Sequence, residues 1–168
     1  MISRLMYNGK YLKVRRDTLT LPNGKVMDIE YVNHPGAVII IPFLSPSKIV
    51  MIKQYRPVVR QYVYELPAGT IEKNESPVIC AKREVIEETG YRAGKIRKVA
   101  DIYPLPAYTD EVIHLYKATQ LKYVGTKFDD NEVIENVVVT KREVNKMFRQ
   151  GKFVNSETIS VFTLCGWL

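Results

Sequence analysis

The sequence has few cysteines and no long apolar segment. Only two of its 168 residues are cysteines, Cys80 and Cys165, and they lie far apart without the spacing of a metal-binding motif. Two free thiols are typical of a cytosolic chain, so we expect a cytoplasmic location. The longest apolar run, residues 37–44, is much shorter than the roughly 18 residues that a membrane-spanning helix needs. We therefore expect a buried strand there and no membrane partner.

A secretion signal and a dense basic tract are also missing. Residues 1–10 contain no extended apolar stretch and no small-residue cleavage pattern. The formal net charge of +7 would suit nucleic-acid binding, but the Lys and Arg residues are scattered along the chain. A basic surface that attracts small anions explains the charge equally well. We expect a small-molecule substrate rather than a nucleic acid.

The order of apolar segments predicts an α+β fold with mixed sheets. The Asn-Gly pair of "PNGK" indicates a hairpin between residues 11–21 and 26–32. Further strands are expected at residues 37–43, 48–56, 96–103, 112–119 and 133–139, and helices at residues 76–90, 141–152 and 156–168. We divide the chain into an N-terminal hairpin segment, residues 1–35, and a main domain, residues 36–168.

The first helix has conventional end signals and an apolar face. Ser76 is expected to cap its start, Pro77 suits the first turn, and Gly90 closes it. At 100° per residue, one apolar arc is predicted to face the core and to be extended on one side. Val78, Ala81 and Val85 form the predicted arc, and Ile79 and Ile86 extend it. In the last helix, Ser156 is expected to be the N-cap.

Acidic residues cluster on the first helix. Glu84 and Glu88 are one turn apart at the border of the apolar face, and Arg83 lies four residues before Glu87 as its partner. Close carboxylates raise one another's pKa values unless a positive charge lies among them. Such a cluster can be a solvated helix face, but adjacent carboxylates at a buried edge also suit a hard divalent cation. We expect a metal site.

The spacing around this helix resembles that of a known family. Gly69, Glu75, Arg83-Glu84-Val85, Glu87-Glu88 and Gly90 match the Nudix hydrolase motif G-x5-E-x7-R-E-U-x-E-E-x-G-U, where U is bulky and aliphatic. Only Tyr91, in the last aliphatic place, departs from it. The resemblance implies an α/β/α sandwich and hydrolysis of a nucleoside diphosphate linked to another moiety. It also implies Mg²⁺ or Mn²⁺ as the cofactor.

The same resemblance implies roles for particular residues. Glu84 and Glu88 would be the principal metal ligands, Glu87 would assist, and the carbonyl of Ala68 would be a further ligand. Arg83 would orient the glutamates through a salt bridge. Physically, a diphosphate carries charge that must be neutralised before phosphorus is attacked, and metal ions provide this neutralisation.

The flanking sequence is similar to that of the ADP-ribose pyrophosphatase branch. The stretch "QYRPVVRQYVYELPAGTIE" precedes the motif, and "LPAYTDE" resembles the S-P-G-x-T-x-E loop of that branch, with Leu105 and Ala107 as departures. Hydrolysis of ADP-ribose to AMP and ribose 5-phosphate is therefore expected. The alternatives are a nucleotide sugar such as GDP-mannose, an RNA 5′ end, or a sensor without activity.

Substrate-binding roles follow from the same likeness. Arg56 would bind the diphosphate or stack on the adenine, or it is simply a surface arginine. Glu111 would accept hydrogen bonds from a ribose hydroxyl, or it is a solvated loop acid. Pro106 completes the predicted substrate set. This branch forms homodimers that exchange N-terminal strands, and we expect a homodimer here, with a monomer carrying an extra sheet as the alternative.

The loop before the last strand is expected to supply the catalytic base. Carboxylates that bind a cation lose basicity, so another acid should take the proton from water. Asp129 and Asp130 are expected to be turn residues, and Glu135 is in strand phase. We prefer Glu132, at the end of the loop, over Glu135. The alternative is that no separate base is needed.

Overall fold

The computed structural model describes residues 2–126 and 133–168, where it has ten strands and three helices. The strands are β1 (Ile2–Asn8), β2 (Lys13–Thr20), β3 (Val26–Asn33), β4 (Ala37–Ser45), β5 (Lys48–Arg56), β6 (Gln61–Glu65), β7 (Ala68–Thr70), β8 (Tyr91–Ile102), β9 (Ile113–Tyr123) and β10 (Ile134–Thr140). The helices are α1 (Pro77–Thr89), α2 (Lys141–Arg149) and α3 (Ser156–Leu164). No helix among these residues is long and apolar enough to cross a membrane.

The N-terminal segment forms a separate three-stranded antiparallel sheet in the order β1-β2-β3. The predicted hairpin is confirmed, because β2 pairs with β3 up to Thr20 opposite Val26, and Gly24 takes a positive φ of 81° in the turn. Strand β1 was not predicted. All its side chains are exposed, so it shows no burial periodicity, and its backbone bonds to the edge of β2 form it.

The main sheet has seven strands and is mixed. Its central order is β10-β5-β4-β9-β8, with β6 paired to β5 and β7 paired to β4. Strands β4 and β9 are parallel, whereas the other pairs are antiparallel. Apolar residues of α1 belong to one core cluster, and residues of α2 and α3 belong to another. The sheet lies between these helices, so the α+β sandwich is confirmed.

Helix α1 differs from the prediction in which residues it buries. Ala81 and Val85 are fully buried as expected, but Val78 and Ile79 are exposed by 39% and 56%. The buried arc instead includes Cys80, Ala81, Glu84, Val85, Glu88 and Thr89. The helix is therefore rotated toward its acidic side, which places two glutamates inside the contact with the sheet.

The residues at the helix ends differ in how they cap α1 and α3. Ser76 occupies the N-cap position of α1 without a side-chain hydrogen bond, and Gly90 closes the helix with φ 75°. The N-cap of α3 is Asn155 rather than Ser156, because the Asn155 side chain accepts a hydrogen bond from the Thr158 N–H at 2.8 Å. Asparagine is among the best N-cap residues, so this position is favourable for the helix start.

Candidate functional site

Arg83 lies at the centre of the acidic cluster. Its Nε and Nη2 atoms donate to the two oxygens of Glu75 at 3.0 and 2.9 Å. Its Nη1 atom donates to Glu84 Oε1 at 2.6 Å and to Glu87 Oε2 at 3.0 Å. The prediction that Arg83 partners Glu87 is confirmed, and the structure adds Glu75 and Glu84. Arg83 therefore supplies a positive charge among these three carboxylates.

The contacts between Arg83 and Glu75 shift the pKa values of both residues. The hydrogen bonds from Arg83, opposed by burial, lower the pKa of Glu75 from 4.5 to about 2. The same bonds, chiefly those with Glu75, raise the pKa of Arg83 above its usual range. Glu75 therefore stays ionised and holds Arg83, which leaves one side of the guanidinium for Glu84 and Glu87.

Strand β7 lies directly against the acidic side of α1. Glu84 and Glu88 are only 9% and 3% exposed. The Ala68 N–H donates to Glu88 Oε2 at 2.9 Å, and a Cβ added to Gly69 would lie 1.8 Å from Glu84 Oε1. Gly69 is therefore the residue that lets the backbone approach the glutamate. The motif spacing brings Gly69, Glu84 and Glu88 together through this β7–α1 contact.

The chemistry of these donors fits a hard divalent cation. Glu84, Glu87 and Glu88 offer carboxylate oxygens, and Ala68, whose N–H binds Glu88, offers a backbone carbonyl. Such oxygen donors suit Mg²⁺ or Mn²⁺ better than a soft metal. Within residues 2–126 and 133–168, no three His, Cys, Asp or Glu side chains are already grouped as a metal site. In the structure, the carboxylates of Glu84 and Glu87 both form ion pairs with the Arg83 guanidinium.

A cavity of about 300 Å³ opens beside β7. Its walls come from β4, β7, the ends of β5 and β6, the start of β9 and the first turn of α3. The lining residues are Ala37, Val38, Ile39, Arg56, Glu65, Leu66, Ala68, Gly69, Thr70, Glu111, Ile113, Asn155, Glu157 and Thr158. The cavity thus joins the Gly69 edge of the acidic cluster to two predicted substrate residues, Arg56 and Glu111.

Arg56 is held by Glu65, a residue for which the sequence predicted no role. Its Nε and Nη2 atoms lie 2.9 and 2.6 Å from Glu65 Oε2. Glu65 is 4% exposed, whereas the Arg56 side chain is 44% exposed. Glu65 is the first residue of "ELPAG", and the signal that could have revealed it is a charged residue among apolar ones at the end of a short strand.

Glu111 also lies at the cavity, within a tethered loop. Its Oε1 atom is 3.4 Å from His34 Nδ1. The pKa of Glu111 is raised, mainly because its carboxyl group is partly buried. The neighbouring Asp110 accepts hydrogen bonds from Asn33 Nδ2 and from the His34 N–H, both at 2.7 Å. These bonds anchor the loop to the last residue of β3 and to the residue after it, a contact that the sequence did not indicate.

Other predicted residues lie elsewhere. Pro106 is exposed and is not among the residues that line the cavity. Glu132 lies outside the described residues, as do Asp129 and Asp130. Glu135 is on β10, as its strand phase predicted, with 69% of its side chain exposed and its Oε2 atom 3.5 Å from Lys53 Nζ.

Comparison with known proteins decides the family. The NUDIX domain family matches residues 33–159, which include both the acidic helix and the cavity. The chain belongs to the Nudix hydrolases. An ADP-ribose pyrophosphatase of Bacillus subtilis is 35% identical over 155 residues, covering 91% of this chain and 84% of that protein. The resemblance drawn from the motif is therefore confirmed, and the chain is a hydrolase.

Two further relatives show how far the likeness extends. A methanol dehydrogenase activator of Bacillus methanolicus is also 35% identical, over 156 residues, covering 92% of this chain and 84% of that protein. A crystal structure described as an ADP compounds hydrolase aligns with a TM-score of 0.84 and 20% identity, covering 98% of this Nudix chain and 90% of that one. The last match shows a common fold across nearly the whole chain.

Proposed function

We propose that this Nudix hydrolase cleaves the diphosphate of ADP-ribose to AMP and ribose 5-phosphate. The observation that carries the proposal is that one cavity joins Arg56 to the Gly69 edge of the acidic cluster. Arg56, a cation suited to phosphates, therefore lines the same cavity as Ala68 and Gly69, the residues that border the carboxylates suited to a metal ion. The ADP-ribose pyrophosphatase of Bacillus subtilis, with its 35% identity, supports this substrate.

The metal-binding role is assigned to the acidic side of α1. Glu84 and Glu88 would hold Mg²⁺ or Mn²⁺ with the Ala68 carbonyl, and Glu87 would assist. The bound ion would neutralise the charge of the diphosphate and help to activate water. Arg83 orients the carboxylates: its contacts with Glu84 and Glu87 fix their positions, while Glu75 fixes the position of Arg83.

The substrate roles are assigned to the cavity walls. Arg56 would bind phosphate oxygens, since a planar guanidinium can pair with two oxygens at once. Glu111 would accept a hydrogen bond from a ribose hydroxyl, which its place on the cavity supports. Pro106 would shape the loop that carries Glu111. The proton acceptor remains predicted to be Glu132, in preference to Glu135, whose side chain is 69% exposed beside Lys53.

A substrate panel tests the proposal. Purified protein with Mg²⁺ is assayed against ADP-ribose, GDP-mannose, other nucleoside diphosphate derivatives and triphosphorylated RNA. We expect ADP-ribose to rank among the best substrates by kcat/KM. A nucleotide sugar that ranks well above it would replace ADP-ribose as the substrate, and turnover of RNA alone would favour action at RNA 5′ ends.

We further propose that the protein is a cytoplasmic homodimer joined through its N-terminal sheet, residues 2–33. This sheet exposes large apolar side chains, which are Ile2, Leu5, Met6, Tyr7, Tyr11, Leu12, Val26 and Met27. Apolar side chains concentrated on one element are typical of a contact surface. The free thiols of Cys80 and Cys165 support the cytoplasmic location.

A further inference from the structure

A buried polar connection runs from Arg56 to the start of α3. Glu65 uses one carboxylate oxygen, Oε2, for Arg56, and its other oxygen, Oε1, accepts a hydrogen bond from Asn155 Nδ2 at 2.9 Å. The opposite end of the Asn155 amide, Oδ1, caps α3 by accepting from the Thr158 N–H at 2.8 Å. Asn155 therefore uses its donor for Glu65 and its acceptor for the helix.

A second contact ties the same two elements together. The N–H of Leu66, the residue after Glu65, donates to Thr158 Oγ1 at 3.2 Å. The end of β6 is thus bonded to the first turn of α3 through both backbone and side chain. Because Glu65 is 4% exposed and both its oxygens are engaged, its carboxylate has one defined position.

The defined position of the Glu65 carboxylate restricts the conformations of the Arg56 side chain. An arginine side chain loses rotamer freedom when it binds a phosphate, and that loss weakens binding unless the side chain is ordered beforehand. Glu65 engages Nε and Nη2 of Arg56 from one side, so Nη1 is not used in this ion pair. The guanidinium of Arg56, a residue that lines the cavity, is thus held by Glu65 before a substrate arrives.

We propose that Glu65 and Asn155 are positioning residues that act through Arg56 on the substrate diphosphate. The proposal rests on the proposed function for the role of Arg56. Asn155 connects α3 to Glu65, because the same side chain caps the helix and donates a hydrogen bond to the Glu65 carboxylate. The substrate affinity of the cavity therefore depends on the residue that caps α3, whose side-chain amide donates to Glu65 and accepts from the Thr158 N–H.

Asn155→Ser separates the two bonds of Asn155. A serine at an N-cap can still accept from the Thr158 N–H, but it is too short to replace the amide that donates to Glu65. We expect the melting temperature to stay close to that of the wild type. We expect KM for ADP-ribose to rise about tenfold, as for one lost hydrogen bond to a charged group, with little change in kcat.

Two companion variants identify the cause. Asn155→Ala loses both bonds, so it should show the same rise in KM together with a lower melting temperature. Asn145→Ser is the matched control, because Asn145 lies on α2 and donates to the carbonyls of Lys141 and Trp167. It should leave KM unchanged. A purely structural role of Asn155 would instead make KM follow the melting temperature.

A double-mutant cycle tests whether Asn155 acts through Arg56. Arg56→Ala should raise KM, and adding Asn155→Ser to it should raise KM no further. The same cycle is measured as the affinity for inorganic pyrophosphate by titration calorimetry in the same Mg²⁺ buffer. Wild-type affinity in Asn155→Ser, or an equal loss with and without Arg56, overturns the proposal. Failure to hydrolyse ADP-ribose overturns only the proposed function, because the pyrophosphate cycle still measures the coupling.

Discussion

Gly69 and Glu84 approach each other so closely that no side chain fits between them. A Cβ on Gly69 would lie 1.8 Å from Glu84 Oε1 and 2.0 Å from its Cδ. Glu84 cannot yield freely, because its carboxylate also bonds to Arg83 at 2.6 Å and is only 9% exposed. The glycine of the motif is therefore required by the glutamate that the motif places fifteen residues later.

Gly69→Ala should displace the Glu84 carboxylate. We expect a loss of about 1–3 kcal/mol in the free energy of unfolding, as for an overpacked site, and a large fall in kcat. Denaturant unfolding and the ADP-ribose assay measure the two effects. Gly9→Ala is the control, because the atoms nearest to its added methyl belong to the ring of Tyr7, an exposed side chain (59%) outside the acidic cluster. Wild-type activity in Gly69→Ala would contradict the assigned contact.

Glu84→Gln and Glu88→Gln should each lower kcat by several orders of magnitude and weaken Mg²⁺ binding. The amide keeps the size of the side chain but removes the charge that a hard cation requires. Titration calorimetry with Mg²⁺ and steady-state kinetics measure the effect, and circular dichroism checks the fold. Glu72→Gln, an exposed acid before α1, should behave like the wild type. Near-normal activity in either helix variant would mean that the metal is held elsewhere.

Arg83→Lys should lower the melting temperature most in the absence of metal. A lysine ammonium keeps the charge but cannot bridge Glu75, Glu84 and Glu87 as the guanidinium does. Mg²⁺ should then raise the melting temperature of the variant more than that of the wild type, because it offsets the repulsion left behind. Arg149→Lys, at the end of α2, should show neither effect. An unchanged melting temperature in EDTA would show that Arg83 does not hold the cluster.

The stability of the protein should depend on pH through Glu75. Its pKa in the folded state is lowered from 4.5 to about 2 by Arg83. A lowered pKa stabilises the fold above the unfolded value, and that stability is lost as the pH falls from about 4.5 toward 2. The gap in unfolding free energy between the wild type and Glu75→Gln should narrow across this window. For Glu135→Gln, at an exposed ion pair, the gap should be small throughout. A Glu75 gap independent of pH would contradict the lowered pKa.

Leu5→Glu should disrupt the proposed dimer. Leu5 is 49% exposed on β1, and a charge placed in an apolar contact between subunits costs free energy unless it is paired. Light scattering during gel filtration should find a dimer for the wild type and a monomer for the variant. Val138→Glu changes an exposed valine on β10 and should leave the dimer intact. A wild-type monomer would show that the N-terminal sheet is not the contact proposed here.

The sequence by itself determined the elements whose signals are local. The Asn-Gly pair marked the hairpin of β2 and β3, and turn residues bounded β5 at the residues observed, Lys48 and Arg56. The spacing from Gly69 to Gly90 identified the family, because the motif fixes which residue types recur at which positions along one strand and helix. These features need only the order of residues and the geometry of a single element.

Tertiary contacts decided the rest. The rotation of α1, which buries Glu84 rather than exposing it, depends on the approach of β7, and the helical period alone does not contain that strand. Arg83 binds Glu75 only because the loop before α1 folds back over the helix. Asn155 reaches Glu65 across 90 residues of sequence, a separation at which no local pattern operates. Such contacts form when the sheet packs against the helices. A buried charged group needs a partner inside the protein, and the packing of distant segments determines which partner it has.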